Sequence, residues 1–186
     1  MSSVQWSHPW ENDLTLVDHA DLSLLLQLAF PWTSDYFTGS RSWACNRPER
    51  RVIARAAGQA VGHAGILRRF LRIDGVDQLV GEVGLLAVHP DWEPSDLSYR
   101  LATQVGAALA ELRVPFGFFN SNSDVATFYT GVGWKALPPE TMTRTPTVHS
   151  PFEASLIGSL AVVLPVTATI DRWPAGDVID RHGFET

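Results

Sequence analysis

A strand that runs straight into a helix is what most limits how this chain can fold. Leu79 to Arg100 reads LVGEVGLLAVHPDWEPSDLSYR. Val80, Val83, Leu85, Leu86, Ala87 and Val88 form a nearly continuous apolar run, which suits a strand covered on both faces. Pro90 stops it. A helical period follows, with Leu97, Leu101, Val105, Ala108, Leu109 and Leu112 on one face. Such a junction aims free backbone N–H groups and the positive end of a helix dipole at one spot, a natural seat for phosphate. The connecting residues fit that seat poorly. Glu93 and Asp96 bring negative charge, Pro94 removes a donor, and the loop has neither glycine nor a basic residue. Asp96 is expected to cap the helix.

The other elements are shorter. Val4 to Trp6 reads as a first strand, and a helix is expected from His19 to Phe30, capped by Asp18 or Asp21 and ended by Pro31. Leu22, Leu25, Leu26 and Ala29 give that helix its inner face. The next stretch, WTSDYFTGSRSWACNRPER, has no period and many turn formers, so it is a loop or short helical turns, long enough to act as a substrate-binding lid. Arg51 to Ala57 and Ala60 to Ile73 form an antiparallel pair turning at Gly58-Gln59, and Asp74-Gly75 makes the following hairpin. After the long helix come a strand at Val114 to Phe119 and a second strand–loop–helix passage, NSDVATFYTGVGW. Pro138 to Pro151, rich in Thr and Pro, reads as an exposed loop, and Ser159 to Val166 as the last strand. The tail DRWPAGDVIDRHGFET is polar and irregular, pinned by Trp173 and Ile179. These elements predict a mixed α/β (α+β) fold in one domain over residues 1–186, a mostly antiparallel sheet flanked by helices.

Composition narrows the partners. A net charge of −6 argues against nucleic acid and anionic membranes and suits a cationic acceptor. No apolar run reaches the roughly 18 residues of a membrane span, and MSSVQWSHPWEND lacks a signal pattern. The single cysteine, Cys45, forms no internal disulfide, so a reducing cytoplasm is expected. His19, His89 and His149 have no metal-ligand spacing, and no metal site is predicted.

Three groups of residues are candidates for chemistry. Glu82 is a carboxylate in an apolar strand, costly to bury unless paired or functional. Strand alternation puts it on one face with Gly84, Leu86 and Val88, where it is the best candidate for a general base. The competing reading is a salt bridge to Arg68 or Arg69. His63, amid Val61, Ala64 and Ile66, is either a satisfied core histidine or part of a substrate site. Arg41 and Arg47 sit on the long loop, where they either hold a substrate or carrier phosphate or bind loop carbonyls.

The passage Asn122-x-x-Val125-x-x-Phe128-Tyr129-x-x-x-Gly133-Trp134, together with the strand–loop–helix unit, resembles the signatures of the GNAT superfamily of N-acyltransferases. In that superfamily the tyrosine protonates the departing thiolate, which here falls on Tyr129, with Phe128 packed inward. The likeness goes further. Trp10-Glu11-Asn12 with His19, Gly39-Ser40-Arg41-Ser42-Trp43-Ala44, Arg47-Pro48-Glu49, His63 with Leu67-Arg68-Arg69-Phe70, Glu82 with Gly84-Leu85, Val114 to Phe118, and Trp173-Pro174-Ala175-Gly176 with Ile179-Asp180-Arg181 resemble the nodulation N-acyltransferase family. That family moves a fatty acyl group from acyl carrier protein to a free amine on a chitin oligosaccharide, and its phosphate loop is weakened in the same way. Two features depart from it: the stretch Pro31 to Phe37 is shorter, and Tyr129 stands where an aliphatic residue is expected. In Tyr129 and in Ala87 to Trp92 (AVHPDW) the chain is similar to aminoglycoside 2′-N-acetyltransferases.

The resemblance implies an N-acyltransferase using a pantetheine thioester, on acyl carrier protein or as acyl-CoA, and no tightly bound cofactor. It places Leu86, Ala87, Val88, Ser98 and Asn122 at the donor, Arg41, Trp43, His63 and Arg68 at the acceptor, and Glu82 and Tyr129 in catalysis. The alternative is a GNAT scaffold with a degenerate donor loop that binds a metabolite or catalyses other chemistry.

Overall fold

The computed structural model describes residues 3–93, 95–145 and 159–183. Strand β1 is Gln5–Ser7 and helix α1 Leu16–Ala29. Strands β2 (Arg50–Ala56), β3 (Gln59–Ile73) and β4 (Val76–Val88) follow, then α2 (Leu97–Glu111). The chain continues through β5 (Phe116–Ser121), α3 (Ser123–Thr130), β6 (Lys135–Ala136), β7 (Met142–Arg144), β8 (Leu160–Pro165) and β9 (Val178–Arg181). The result is mixed α/β, with pairing parallel at β4–β5 and β7–β9 and antiparallel in the other registered pairs. No helix of the described residues is long and apolar enough to cross a membrane.

Contacts divide the chain into two compact units. The first takes residues 3–67 and 83–108, where β1, β2, the start of β3 and the end of β4 are neighbours. Its core joins Leu22, Leu25 and Leu26 of α1 to Phe37, Ile53, Ala60 and Ala87, and a second cluster joins Ala54, Val61 and Leu97. The second unit takes residues 68–82 and 109–183. There the order runs β3-β4-β5-β8-β6, with β9 on β3 and β7 on β9. Its core gathers Leu71, Ile73, Val80, Phe116, Phe118, Ala161, Val163 and Ile179, and Trp173 stacks on Phe118 with ring centroids 6.3 Å apart.

The two hairpins show why this chain turns where it does. Ala57-Gly58 (φ 50° and 86°) and Asp74-Gly75 (φ 43° and 90°) are both left-handed pairs, the backbone that tight hairpins demand. The first turn therefore lies one residue before the expected Gly58-Gln59. Helix α1 also starts earlier than expected. Thr15, not Asp18 or Asp21, is its cap: its hydroxyl accepts from the Asp18 N–H (3.2 Å) and the Asp18 carboxylate accepts from the Thr15 N–H (3.0 Å). Leu16 and Val17 face solvent, so they gave the inner face no period to reveal. At α2 the Leu97 N–H donates to the Ser95 hydroxyl (3.2 Å), while the Asp96 carboxylate lies 3.8 Å from Arg100. Ser95 thus takes the side-chain role expected of Asp96.

Two further expectations are corrected. Within the expected loop Pro138 to Pro151, Met142–Arg144 is a strand, and Thr141, Thr143 and Thr145 are buried; residues 146–151 lie outside the described residues, as does Pro94. The tail is also less irregular, since Val178–Arg181 pairs with both β3 and β7.

Candidate active site

In the first unit the organising strand is interrupted at Leu85, which adopts φ 51°. A left-handed residue with a branched side chain costs about 1–2 kcal/mol, so neighbours must hold it. The Leu85 carbonyl accepts from His63 Nδ1 at 2.9 Å. This break ends strict alternation, so the expected shared face of Glu82, Gly84, Leu86 and Val88 does not carry across it. Ala87 is buried, and Leu86 and Val88 are half-buried.

Behind His63 lies a polar network in an otherwise apolar interior. Arg51 is fully buried, and each of its five N–H groups has a partner. Nε and Nη2 grip the Glu11 carboxylate at 2.6 and 3.0 Å. Nη1 donates to the Ser42 carbonyl (2.8 Å) and to His63 Nε2 (3.0 Å), and Nη2 donates to the Ser42 hydroxyl (3.2 Å). Arg47 adds a second cation on Glu11 (Nε to Oε1, 2.5 Å) and donates from Nη2 to His19 Nε2 (3.3 Å). His19 Nδ1 meets the Ser42 hydroxyl at 2.8 Å.

The protonation states follow from the partners. Arginine has no acceptor, so a ring nitrogen facing one must carry a lone pair. His63 and His19 each face an arginine through Nε2, which makes both neutral Nδ1–H tautomers. Burial pushes the His63 pKa down to about 3, with Arg51 acting in the same direction. Burial also lowers the His19 pKa, against the pull of Glu11. For Glu11 burial alone raises the pKa, but hydrogen bonds and charge from Arg51 and Arg47 outweigh it and hold the carboxyl below its ordinary value.

The expected acceptor residues divide around this network. His63 and Trp43 belong to it, Trp43 standing edge-on to His19 at 5.8 Å with the Arg47 guanidinium 4.5 Å over its ring. Arg41 donates to the carbonyls of Trp43 (3.1 Å) and Ala44 (2.7 Å), the loop-carbonyl alternative weighed above. Arg68 is an exposed residue of β3 in the second unit. The sequence gives Glu11, His19 and Ser42 no chemical role, and offers Arg51 only as one of the arginines of a basic docking surface, which its full burial rules out. The one signal for Glu11, His19 and Ser42 is membership of family-like segments, and Arg51 lies outside them, because the contacts that define the network join residues 9 to 40 positions apart.

In the second unit Glu82 is only 1% exposed. Arg69 Nη1 lies 2.5 Å from Oε2 and Arg181 Nε 2.7 Å from Oε1. The salt-bridge alternative thus takes the form of two arginines, one of them in the tail. Arg181 also donates to the Thr145 hydroxyl (2.8 Å) and to the Asn120 side-chain oxygen (2.9 Å), and Asn120 donates to Thr143 (3.0 Å). This chain explains why the Thr-rich segment turns its threonines inward. Tyr129 is buried against Phe119 (4.8 Å), Phe128 (5.1 Å) and Trp134 (5.7 Å), and burial raises its pKa. The helix starting at Ser123 sends Ala126 and Tyr129 inward, so Phe128, expected inside, is the half-buried neighbour. The Asn122 side chain caps α3, accepting from the Val125 N–H at 3.0 Å. Ser98 is half-buried in the first turn of α2.

Known proteins resemble this chain over its whole length. The model of the family described as Nodulation protein A (NodA) matches residues 1–186. Nodulation protein A of Bradyrhizobium elkanii is 39% identical over 99% of this chain and 92% of its own; that of Rhizobium tropici is 36% identical over 99% and 98%. Among solved structures, the GNAT family N-acetyltransferase YhbS of Escherichia coli, in complex with CoA, superposes with a TM-score of 0.63 at 14% identity, covering 97% of this chain and 91% of that one. An acyl-CoA N-acyltransferase from Pseudomonas aeruginosa gives 0.61 at 14% identity, over 87% and 99%. The fold is that of the GNAT acyltransferases, and the chain belongs to the Nodulation protein A family, whose activity is N-acyl transfer to an amine.

Proposed function

We propose that the donor is an acyl group on the pantetheine arm of an acyl carrier protein, used in preference to acyl-CoA, and that the acceptor is the free amine of an aminosugar or related metabolite in the cytoplasm. The observation that carries this reading is the β4–α2 junction. Asp91, Glu93 and Asp96 are all exposed there, and Arg100 in the first turn of α2 faces Asp96. A diphosphate would meet like charge at the spot where the helix end offers its N–H groups. A carrier protein brings one phosphate and a protein surface instead. The CoA-bound E. coli neighbour supports pantetheine thioester chemistry in general.

In this reading the amine attacks the thioester carbonyl directly; a C–N bond forms and the C–S bond breaks. Backbone groups of Leu86, Ala87 and Val88 hold the pantetheine arm, with Ser98 and Asn122 assisting at the donor, and Arg41, Trp43, His63 and Arg68 serve the acceptor. Glu82 takes the ammonium proton, directly or through water, and Tyr129 returns a proton to the leaving thiolate. No acyl-enzyme forms, and Cys45 is not a nucleophile. The test is kinetic: one acyl group is offered on acyl carrier protein and on CoA, with an aminosugar acceptor. A higher kcat/KM for the carrier protein is expected. A clear preference for acyl-CoA overturns the choice of donor. No thioester consumption with any acyl group or amine favours a scaffold that has left acyl transfer.

A further inference from the structure

Glu11, Arg47 and Arg51 set two guanidiniums against one carboxylate, so with both histidines neutral the cluster keeps one positive charge. It does so in a chain of net charge −6. Arg51 is entirely engaged inside. The excess reaches solvent through Arg47, whose side chain is 52% exposed. Three contacts fix this guanidinium: Glu11 on Nε, His19 on Nη2, and the Trp43 ring 4.5 Å beneath its plane. Its Nη1 group has no protein partner among the described residues. A planar cation held on three sides, with donors left on its open edge, is a preformed fork for a pair of oxygens.

Its setting gives that fork a use. Arg47 connects through Glu11, Arg51 and His63 to the carbonyl of Leu85 on β4, by contacts of 2.5–3.0 Å within one unit. The described residues of the β4–α2 junction, by contrast, carry three exposed carboxylates, and Arg100 already faces one of them. A phosphorylated substrate therefore has to find its cation elsewhere.

We propose that the open edge of Arg47, backed by Trp43, Glu11 and His19, is an oxyanion subsite that takes a phosphate group of a substrate. The phosphate belongs either to the pantetheine arm of the donor or to a phosphorylated aminosugar; this assignment of its source rests on the acyl-transfer reading above. The ordering of the arginine is complete before the ligand arrives, which favours binding.

Two measurements test it. In the first, inorganic phosphate and 4′-phosphopantetheine are titrated calorimetrically against the whole chain and its R47Q and R47K variants, without turnover. Binding is expected to weaken about tenfold in R47Q, as for loss of a charge-assisted pair, and less in R47K, which keeps the charge and loses the fork. In the second, kcat/KM is compared for S-acyl-pantetheine against S-acyl-4′-phosphopantetheine, and for glucosamine against glucosamine 6-phosphate. If R47Q abolishes the preference within the donor pair, the phosphate is the donor's; if within the acceptor pair, it is the acceptor's. Phosphate binding and both preferences equal to wild type in R47Q overturn the subsite. Arg47-dependent phosphate binding without turnover on any pair supports the subsite and overturns the acyl-transfer reading.

Discussion

Tyr129 sits in a cage of aromatic rings, and its phenol keeps its proton across the neutral range because burial raises its pKa. A thiolate, the conjugate base of a thiol with a pKa of about 8.5, is a weaker base than that phenolate, so burial works against the transfer and the test is whether the hydroxyl is needed at all. Tyr129→Phe keeps the ring packing and removes only the donor. Turnover should fall by about 100-fold or more, the usual scale of a lost general acid, with the donor KM little changed; equal turnover under chemistry-limited conditions would show that the residue only packs. Glu82 carries a different risk, because Arg69 and Arg181 hold both its oxygens. Glu82→Gln leaves two buried guanidiniums without their carboxylate, a change worth about 3–5 kcal/mol of stability. A base is also needed for the chemical step, so kcat should fall by about 100-fold or more in this variant. Turnover retained beside a lowered Tm would make Glu82 a brace.

Elements differ in how openly the sequence announces them. β4 and α2 are legible because six apolar residues in nine positions, then a clean helical period, leave no rival pattern. The start of α1 is not, because its cap is a local hydrogen-bonding arrangement and the first two helical residues are exposed apolar ones. Thr15→Ala removes the hydroxyl acceptor and should cost about 1 kcal/mol. For a chain of this size that corresponds to a fall of about 2–4 °C in Tm, measurable by calorimetry. β7 was hidden for another reason. Threonines normally mark exposed strands or loops, and it is Arg181 and Asn120, distant in sequence, that make an inward threonine favourable. The left-handed Leu85 was equally hidden, since it is neither glycine nor asparagine and its stabilising partner, His63, is 22 residues away.

Stability of the whole molecule should depend on pH through the buried histidines. Unfolded, His63 titrates near 6.5; folded, it resists protonation until about pH 3. Between these values the unfolded state binds the extra proton, so stability falls as pH falls. From pH 7 to pH 5 the loss from this residue is about 2 kcal/mol, and His19 adds to it in the same direction. Glu11 and Asp18, whose pKa values are lowered, contribute their own losses only at still lower pH. Denaturant unfolding at both pH values should give a clearly smaller difference for His63→Gln than for wild type, and an unchanged difference would mean that His63 is not the titrating group. The same network sets how this protein tolerates change. Arg51 answers to Glu11, Ser42 and His63 at once, and lysine, with three donors on one atom, cannot serve all three. These positions are therefore energetically coupled. In a library that randomises them together and selects for folding, survivors should be matched combinations rather than independent choices.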